Sequence, residues 1–144
     1  MATLLTLDAS VFINAHRPQE KGHAASRLLL TRIHELEIPV LAPAILPAEV
    51  AGVWARETSR ADLAREFAAT LLAFPWLHVL PATAAVSRLA ADVAAAYRLR
   101  GMDAFYVATA RQHGAMLVTF DDEQLRRAPV DVCACTPDHA LPQL

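Results

Sequence analysis

Short apolar segments alternate along this chain with longer segments of helical periodicity. Three apolar stretches have the length of a strand, at residues 4–7, 39–42 and 115–120. Between the first two, residues 24–36 place leucine and isoleucine on one stripe and charged residues opposite, as an amphipathic helix does. Strands that are apolar throughout are typical of a parallel sheet with helices on both faces. The pattern predicts an α/β fold, a three-layer α/β/α sandwich with a parallel sheet of about five strands.

The other segments fit the same order. Further helices are expected within residues 10–15, 44–58, 60–74, 83–100, 103–113 and 122–127, and further strands at 76–80 and 130–135. Ser59 is a suitable N-cap for the helix that follows it. Gly101 and Gly114 are expected to end the helices before them, because glycine readily adopts the left-handed conformation found there.

Composition limits the class of protein. With 144 residues, one domain over 1–144 is expected. Hydrophobic residues make up 55% and charged residues 19%, which excludes a disordered chain. No apolar run approaches the roughly 18 residues of a membrane span, and no basic segment precedes the first apolar stretch, so neither a membrane protein nor a signal peptide is expected. Cys133 and Cys135 are too close in sequence to staple the fold, and reduced thiols in a cytoplasmic protein fit best.

Acidic residues fall where a site in such a fold is expected. Asp8 and Asp121 follow strands, at the carboxyl ends where open α/β sheets bind their ligands, and Asp122 lies beside Asp121. Asp103 opens a helix. Each of Asp8, Asp103 and Asp121 has an alternative role as a helix N-cap, because aspartate accepts hydrogen bonds from the free N–H groups there.

Glu49 has no such alternative. It shares a helical row with Ile45 and Val53, and a carboxylate among apolar side chains is costly unless it is paired or bound to a metal. No lysine or arginine lies three or four residues away, so a partner would have to come from elsewhere in the fold. Carboxylates gathered without soft ligands suit a hard divalent cation, Mg²⁺ or Mn²⁺. Phosphodiester hydrolysis is the reaction that uses such a site most naturally.

Four segments in order carry a family resemblance: LDASVFINA, LPAEVAGVW, YRLRGMDAFYVATA and MLVTFDDEQL. With them the chain resembles PIN-domain ribonucleases over nearly its whole length. Its size and element order look like the toxin of VapC-type toxin–antitoxin pairs, and also like stand-alone members. The resemblance implies a parallel five-strand sandwich and RNA cleavage that depends on Mg²⁺ or Mn²⁺. It further implies an RNA substrate, an antitoxin protein as partner in paired members, and a homodimer.

The resemblance also assigns residues. By position, Asp8, Glu49, Asp103 and Asp121 are expected to be the catalytic residues that bind the metal. Ser10 and Thr119 are expected as hydroxyl neighbours of that site. Asp121 is preferred to Asp122 because it follows Thr119 by two residues, while Asp122 is left as a supporting residue or a helix cap.

A net charge of −2 means that any RNA-binding surface must be local. Arg17, Arg98, Arg100 and Arg111 are candidates for phosphate contacts, although Arg98 and Arg100 also suit a solvated helix end. Trp54, Phe12 and Leu29 either line a groove for a partner helix or pack in the core, and the core is the expectation.

Other classes fit less well. A receiver domain needs a lysine after a late strand, but the only lysine is Lys21. A haloacid-dehalogenase-type phosphatase needs an aspartate at position 10, where this chain has Ser10. The remaining alternative is a PIN-like module that binds RNA or protein without cleaving. The complete set of acidic residues favours the nuclease.

Overall fold

The computed structural model describes residues 3–144, so the first two residues of the predicted domain lie outside the description. Within this range five strands form one sheet in the order β3-β2-β1-β4-β5. The strands are β1 (Leu5–Leu7), β2 (Val40–Ala42), β3 (Leu77–Val79), β4 (Met116–Val118) and β5 (Ala134–Cys135). All four pairings are parallel, which confirms the predicted sheet.

Seven helices connect the strands in this part of the chain, and an eighth follows the last strand. They are α1 (Ala9–Ala15), α2 (His23–Leu36), α3 (Leu46–Thr58), α4 (Ala61–Leu72), α5 (Ala84–Tyr97), α6 (Gly101–His113), α7 (Asp122–Arg127) and α8 (Pro137–Ala140). A single 3₁₀ turn, Leu141–Gln143, follows α8. None of the helices in this part of the chain combines the length and hydropathy needed to cross a membrane.

The central strand β1 is buried on both faces of the sheet. Leu5, Thr6 and Leu7 are all fully buried, although successive side chains of a strand point to opposite faces. Helices must therefore cover the sheet on both sides. The strand order and the right-handedness of parallel crossovers place α1 to α4 on one face and α5 to α7 on the other. This arrangement is the predicted α/β/α sandwich.

The same topology creates a crevice between β1 and β4. The chain leaves β1 toward β2 on one side and leaves β4 toward β5 on the other, so the two following loops diverge. The register pairs Leu7 with Val118, and the Asp8 N–H continues the pairing by donating to the Val118 carbonyl at 3.0 Å. Asp8 is thereby fixed at the edge of this crevice.

Two predicted helix boundaries are wrong. Helix α5 ends at Tyr97, its C-cap Arg98 takes the left-handed conformation with φ 54°, and Gly101 is the first residue of α6 instead of the end of α5. The reason is Leu99, which is buried and donates its N–H back to the Ala94 carbonyl at 3.2 Å. Burial of that leucine ends the helix four residues before the glycine.

Ser59 likewise ends α3, with φ 54°, and does not cap α4. The N-cap of α4 is Arg60, whose side chain makes no capping hydrogen bond. Gly114 ends α6 in the left-handed conformation, as predicted. The last strand is shorter than the predicted 130–135, because the Val132 N–H closes a turn onto the Pro129 carbonyl before the pairing begins.

Candidate active site

A cleft of about 470 Å³ opens at the carboxyl edge of the sheet. Four carboxylates and one guanidinium line it, those of Asp8, Glu49, Asp103, Asp121 and Arg100. The structure thus brings together the four acidic residues predicted from the sequence. A larger cavity of about 560 Å³ lies between α1, α2 and Trp76, but no carboxylate lines it.

Asp8 lies directly after β1 and is nearly inaccessible, with 6% exposure. It also caps α1, because its Oδ2 accepts from the Ser10 N–H at 3.0 Å. Burial raises the pKa of the Asp8 carboxyl, and the hydrogen bonds from Ser10 and Gln124 oppose that rise. The site therefore contains a carboxylate held under an electrostatic cost that a nearby cation would relieve.

Glu49 lies in the fourth position of α3 and points between Tyr106 and the aspartates. Burial raises the pKa of Glu49 to about 7, the Tyr106 hydroxyl lowers it, and the charges of Asp8 and Asp103 raise it further. Glu49 Oε1 and Tyr106 Oη are both buried, and among the described residues neither has a partner that meets the usual hydrogen-bond distance and angle. The hydroxyl is nevertheless near enough to Glu49 to lower its pKa. No basic side chain from elsewhere in the described fold pairs with Glu49.

Asp103 is the third residue of α6, so its expected alternative as an N-cap is wrong, and Arg100 occupies the cap position instead. Burial raises the pKa of Asp103, and the charges of Asp121 and Asp8 raise it further, while Arg100 lowers it. These carboxylates are therefore close enough for the charge of one to raise the pKa of another.

Asp121 lies two residues past Thr119 and caps α7, because its Oδ1 accepts from the Gln124 N–H at 2.8 Å. Its other oxygen, Oδ2, faces the cleft. Asp122 begins α7 with an exposed side chain that does not line the cleft. The cap alternative thus holds for Asp8 and Asp121, but in each case the same carboxylate also faces the cleft.

Arg100 is the one cationic side chain among the residues that line the cleft. It donates to Asp103 at 3.1 Å and to Asp121 at 3.0 Å. The Arg100 side chain remains 70% exposed, so it can reach a ligand at the mouth of the cleft.

The other three candidate arginines lie elsewhere. Arg17 forms ion pairs with Glu20 and Glu57, and Arg111 pairs with Asp131. Arg98 contributes its carbonyl oxygen to Arg127 at 2.7 Å.

The two predicted hydroxyl neighbours hold the loop after β4. Ser10 Oγ accepts from the Phe120 N–H at 3.2 Å, and Thr119 Oγ1 accepts from the Asp121 N–H at 2.9 Å. Sequence reasoning missed Gln124, whose fully buried amide accepts from Thr119 at 2.6 Å. Its spacing of three residues from Asp121 matches the capping-box pattern, a signal that places it in the first turn of a helix.

The three residues considered for a partner groove, Trp54, Phe12 and Leu29, all pack against other side chains of the protein. Phe12 and Leu29 are fully buried, as expected for the core. Trp54 is partly buried and packs on Phe67 with ring centroids 5.1 Å apart.

The donor set fits a hard divalent cation. All four carboxylates offer oxygen ligands of the kind that Mg²⁺ and Mn²⁺ prefer, and Glu49 Oε1 is a buried acceptor without a partner in residues 3–144. Over the same residues no three such side chains already converge on one ion position. Arg100 lies between two of them, so an ion would share or take over the carboxylates that this guanidinium now contacts.

Comparisons with known proteins identify the family and the fold. The family model described as PIN domain matches residues 5–130. No curated protein matches the sequence.

Several solved structures share the fold. FitAcB from Neisseria gonorrhoeae is 23% identical, with a TM-score of 0.69, over 94% of this chain and 99% of that chain. VapC20 of Mycobacterium tuberculosis, described as a toxin that cleaves the sarcin-ricin loop, is 18% identical, with a TM-score of 0.70, over 90% and 98%. VapBC2 from Rickettsia felis, bound to a DNA fragment from its promoter, is 12% identical, with a TM-score of 0.69, over 92% and 97%.

The family match covers the strands and helices that build the cleft, including all four segments that contribute its carboxylates. The chain belongs to the PIN domain family.

Proposed function

We propose that this protein is a metal-dependent endoribonuclease that hydrolyses RNA phosphodiester bonds and acts as the toxin of a toxin–antitoxin pair. The observation that carries the proposal is the meeting of Asp8, Glu49, Asp103 and Asp121 in one cleft of a PIN domain. The solved structures it resembles include a toxin that cleaves the sarcin-ricin loop and a toxin–antitoxin complex from Klebsiella pneumoniae, which support the substrate class and the partner.

In this proposal the four carboxylates hold Mg²⁺ or Mn²⁺. When bound, such an ion stabilises charge on the phosphoryl oxygens and lowers the pKa of water. Asp8 and Asp121 are held by the helix ends they cap, so their oxygens stay aimed at the cleft. Arg100, exposed at the mouth, supplies the positive charge that orients a phosphate of the substrate.

The proposal also includes partners and a location. An antitoxin protein is the proposed inhibitor. A homodimer is proposed from the family resemblance alone, and light scattering would test it. The free thiols of Cys133 and Cys135 support a cytoplasmic location.

One experiment tests the activity. Purified protein is incubated with total RNA in Mg²⁺ or Mn²⁺, then with chelator, then with the ion restored. We expect cleavage that disappears with chelator and returns with the ion. Asp8→Asn should lower the rate by at least about 100-fold, whereas Asp92→Asn, the same change on the exposed surface of α5, should keep it. Full cleavage in chelator would contradict the proposal.

A second candidate function is a binding module that does not cleave. The observation in its favour is Arg100, which already neutralises part of the acidic cluster without an ion. Folded protein that retains RNA but cleaves none in either ion would establish this function instead.

A further inference from the structure

Gln124 is fully buried beside Asp8, behind the residues that line the cleft. Its side-chain Oε1 accepts from Thr119 Oγ1 at 2.6 Å. Its Nε2 donates to Asp8 Oδ1 at 3.4 Å and to the Asp103 carbonyl oxygen at 3.3 Å. One neutral amide therefore connects the loop after β1, the first turn of α6 and the end of β4.

The network fixes which way this amide faces. Asp8 Oδ1 and the Asp103 carbonyl are both acceptors, so the end of the amide that meets them must be the NH₂ group. The Thr119 hydroxyl uses one lone pair for the Asp121 N–H and has its hydrogen free for the amide oxygen. A rotated amide would place oxygen against two acceptors and lose both donated bonds.

Gln124 also holds the second carboxylate of the crevice. Its main-chain N–H donates to Asp121 Oδ1 at 2.8 Å. Asp8 is held from both sides, with Ser10 N–H on Oδ2 at 3.0 Å and the Gln124 amide on Oδ1. The same residue thus sets the rotation of the Asp8 carboxylate and the position of Asp121, which come from strands on either side of the crevice.

We propose that Gln124 is a positioning residue of the metal site, which orients the Asp8 carboxylate through its buried amide and keeps it in register with Asp121. The inference rests on the proposed nuclease function. A neutral donor suits this place, because a cation would compete with the metal and a carboxylate would repel Asp8. Residues that orient metal ligands in this way typically change metal affinity or activity by about 10- to 100-fold when they are lost.

The test compares Gln124→Met with Gln112→Met. Methionine keeps the length of the side chain and leaves the main-chain bond to Asp121, so only the amide is removed. Gln112→Met makes the same change at an exposed position near the end of α6. Mn²⁺ affinity is measured by calorimetry, and kcat and KM are measured on RNA. We expect about 10- to 100-fold weaker Mn²⁺ binding and a lower kcat with unchanged KM for Gln124→Met alone.

A second pair keeps the test valid if Gln124→Met does not fold, which circular dichroism reports. Thr119→Val removes, at nearly constant shape, the hydroxyl that orients the amide and that also accepts from the Asp121 N–H, and Thr119→Ser retains both bonds. Weaker Mn²⁺ binding in Thr119→Val, with recovery in Thr119→Ser, supports the proposal. Equal Mn²⁺ affinity in both folded variants would overturn it.

Asp8→Asn separates this inference from the proposed function. If Asp8→Asn weakens Mn²⁺ binding while folded Gln124→Met binds and cleaves as the unaltered protein does, only the role of Gln124 is wrong. If the unaltered protein neither binds Mn²⁺ nor cleaves RNA, the nuclease proposal fails, and the positioning role fails with it.

Discussion

Arg100 donates a hydrogen bond from Nη2 to Oδ2 of Asp121 at 3.0 Å, across 21 residues of sequence. The residue that precedes α6 thereby holds the residue that caps α7. The same guanidinium reaches Asp103 at 3.1 Å, so its charge lies between two carboxylates that a divalent ion would share. In the proposed metal site, Arg100 would therefore compete with the ion for the same oxygens.

This competition predicts the effect of Arg100→Gln. Without the guanidinium, the carboxylates lose their internal counter-charge, so we expect Mn²⁺ to bind a few-fold more tightly by calorimetry. RNA binding should weaken at the same time, because the cleft loses its cation for phosphate. Arg60→Gln is the matched control, since Arg60 is an exposed arginine paired only with nearby Asp62. Unchanged or weaker Mn²⁺ binding in Arg100→Gln would refute the competition.

Asp103→Asn should leave the metal-free protein at least as stable as before. The pKa of Asp103 is raised by burial and by its acidic neighbours, so its charge opposes folding at neutral pH. We expect the melting temperature to stay or rise slightly while cleavage is lost. The comparison is Thr83→Ala, which removes a true cap from α5 and should cost about 1 kcal/mol with activity retained. A fall of about 4 °C or more in Asp103→Asn speaks against this account.

Stability of the metal-free protein should decrease as pH rises from 4.5 to about 7, the ordinary and raised pKa values of Glu49. In that interval the folded state holds a proton that the unfolded state has released, so the free energy of unfolding falls with pH. The raised pKa values of Asp8 and Asp103 act in the same direction. Urea unfolding across this range measures the slope, which Glu49→Gln should flatten. A slope that is identical in Glu49→Gln would remove Glu49 from the explanation.

Tyr106→Phe tests how much the Tyr106 hydroxyl, as opposed to burial, contributes to the pKa of Glu49. The Tyr106 hydroxyl lowers the pKa of Glu49, so its removal should move the midpoint of the pH dependence above about 7. Mn²⁺ binding must displace the proton, so its affinity at neutral pH should fall with the same change. Tyr97→Phe, a partly buried tyrosine on α5, is the control. A midpoint that moves downward would contradict the role given to the hydroxyl.

Gly22→Ala should destabilise the protein by about 1–3 kcal/mol, because a Cβ there would lie 2.3 Å from Cζ of the Phe120 ring. Phe120 follows Thr119 in the loop of the site, so the displaced ring should also lower activity. At Gly52, within α3, the nearest atom to a new Cβ is Arg56 Nη1 at 3.4 Å. Gly52→Ala should therefore stabilise by about 0.5–1 kcal/mol. Urea unfolding measures the stability of both variants. If Gly22→Ala were as stable as the unaltered protein, the Phe120 ring would be free to move aside.

The sheet was predictable because its signals are local and redundant. Apolar strands between helical segments identify a parallel sheet, and acidic residues just after β1 and β4 belong at its carboxyl edge whatever the details of packing. Helix ends were less predictable. Leu99 ends α5 through its burial, a tertiary effect that outweighs the preference for glycine at Gly101.

The supporting residues of the cleft depend on side-chain direction, which sequence spacing does not determine. The spacing of Asp121 and Gln124 indicates a helix start, but only the fold shows that the amide turns inward to Asp8 and Thr119. Arg100 was a candidate for phosphate, yet its contacts with two carboxylates required α6 and α7 to be placed side by side.

The parallel pairing of β1 with β4 joins Leu5 to Met116. During synthesis, a chain that has emerged only as far as α5 already contains Asp8 and Glu49, but it has neither Asp103 nor the strand that completes the crevice. Loop closure over so long a separation is slow compared with local helix formation. We therefore expect assembly of the cleft to be among the last events of folding, and a protein made at the ribosome to reach a competent carboxylate cluster only after most of it has left the exit tunnel.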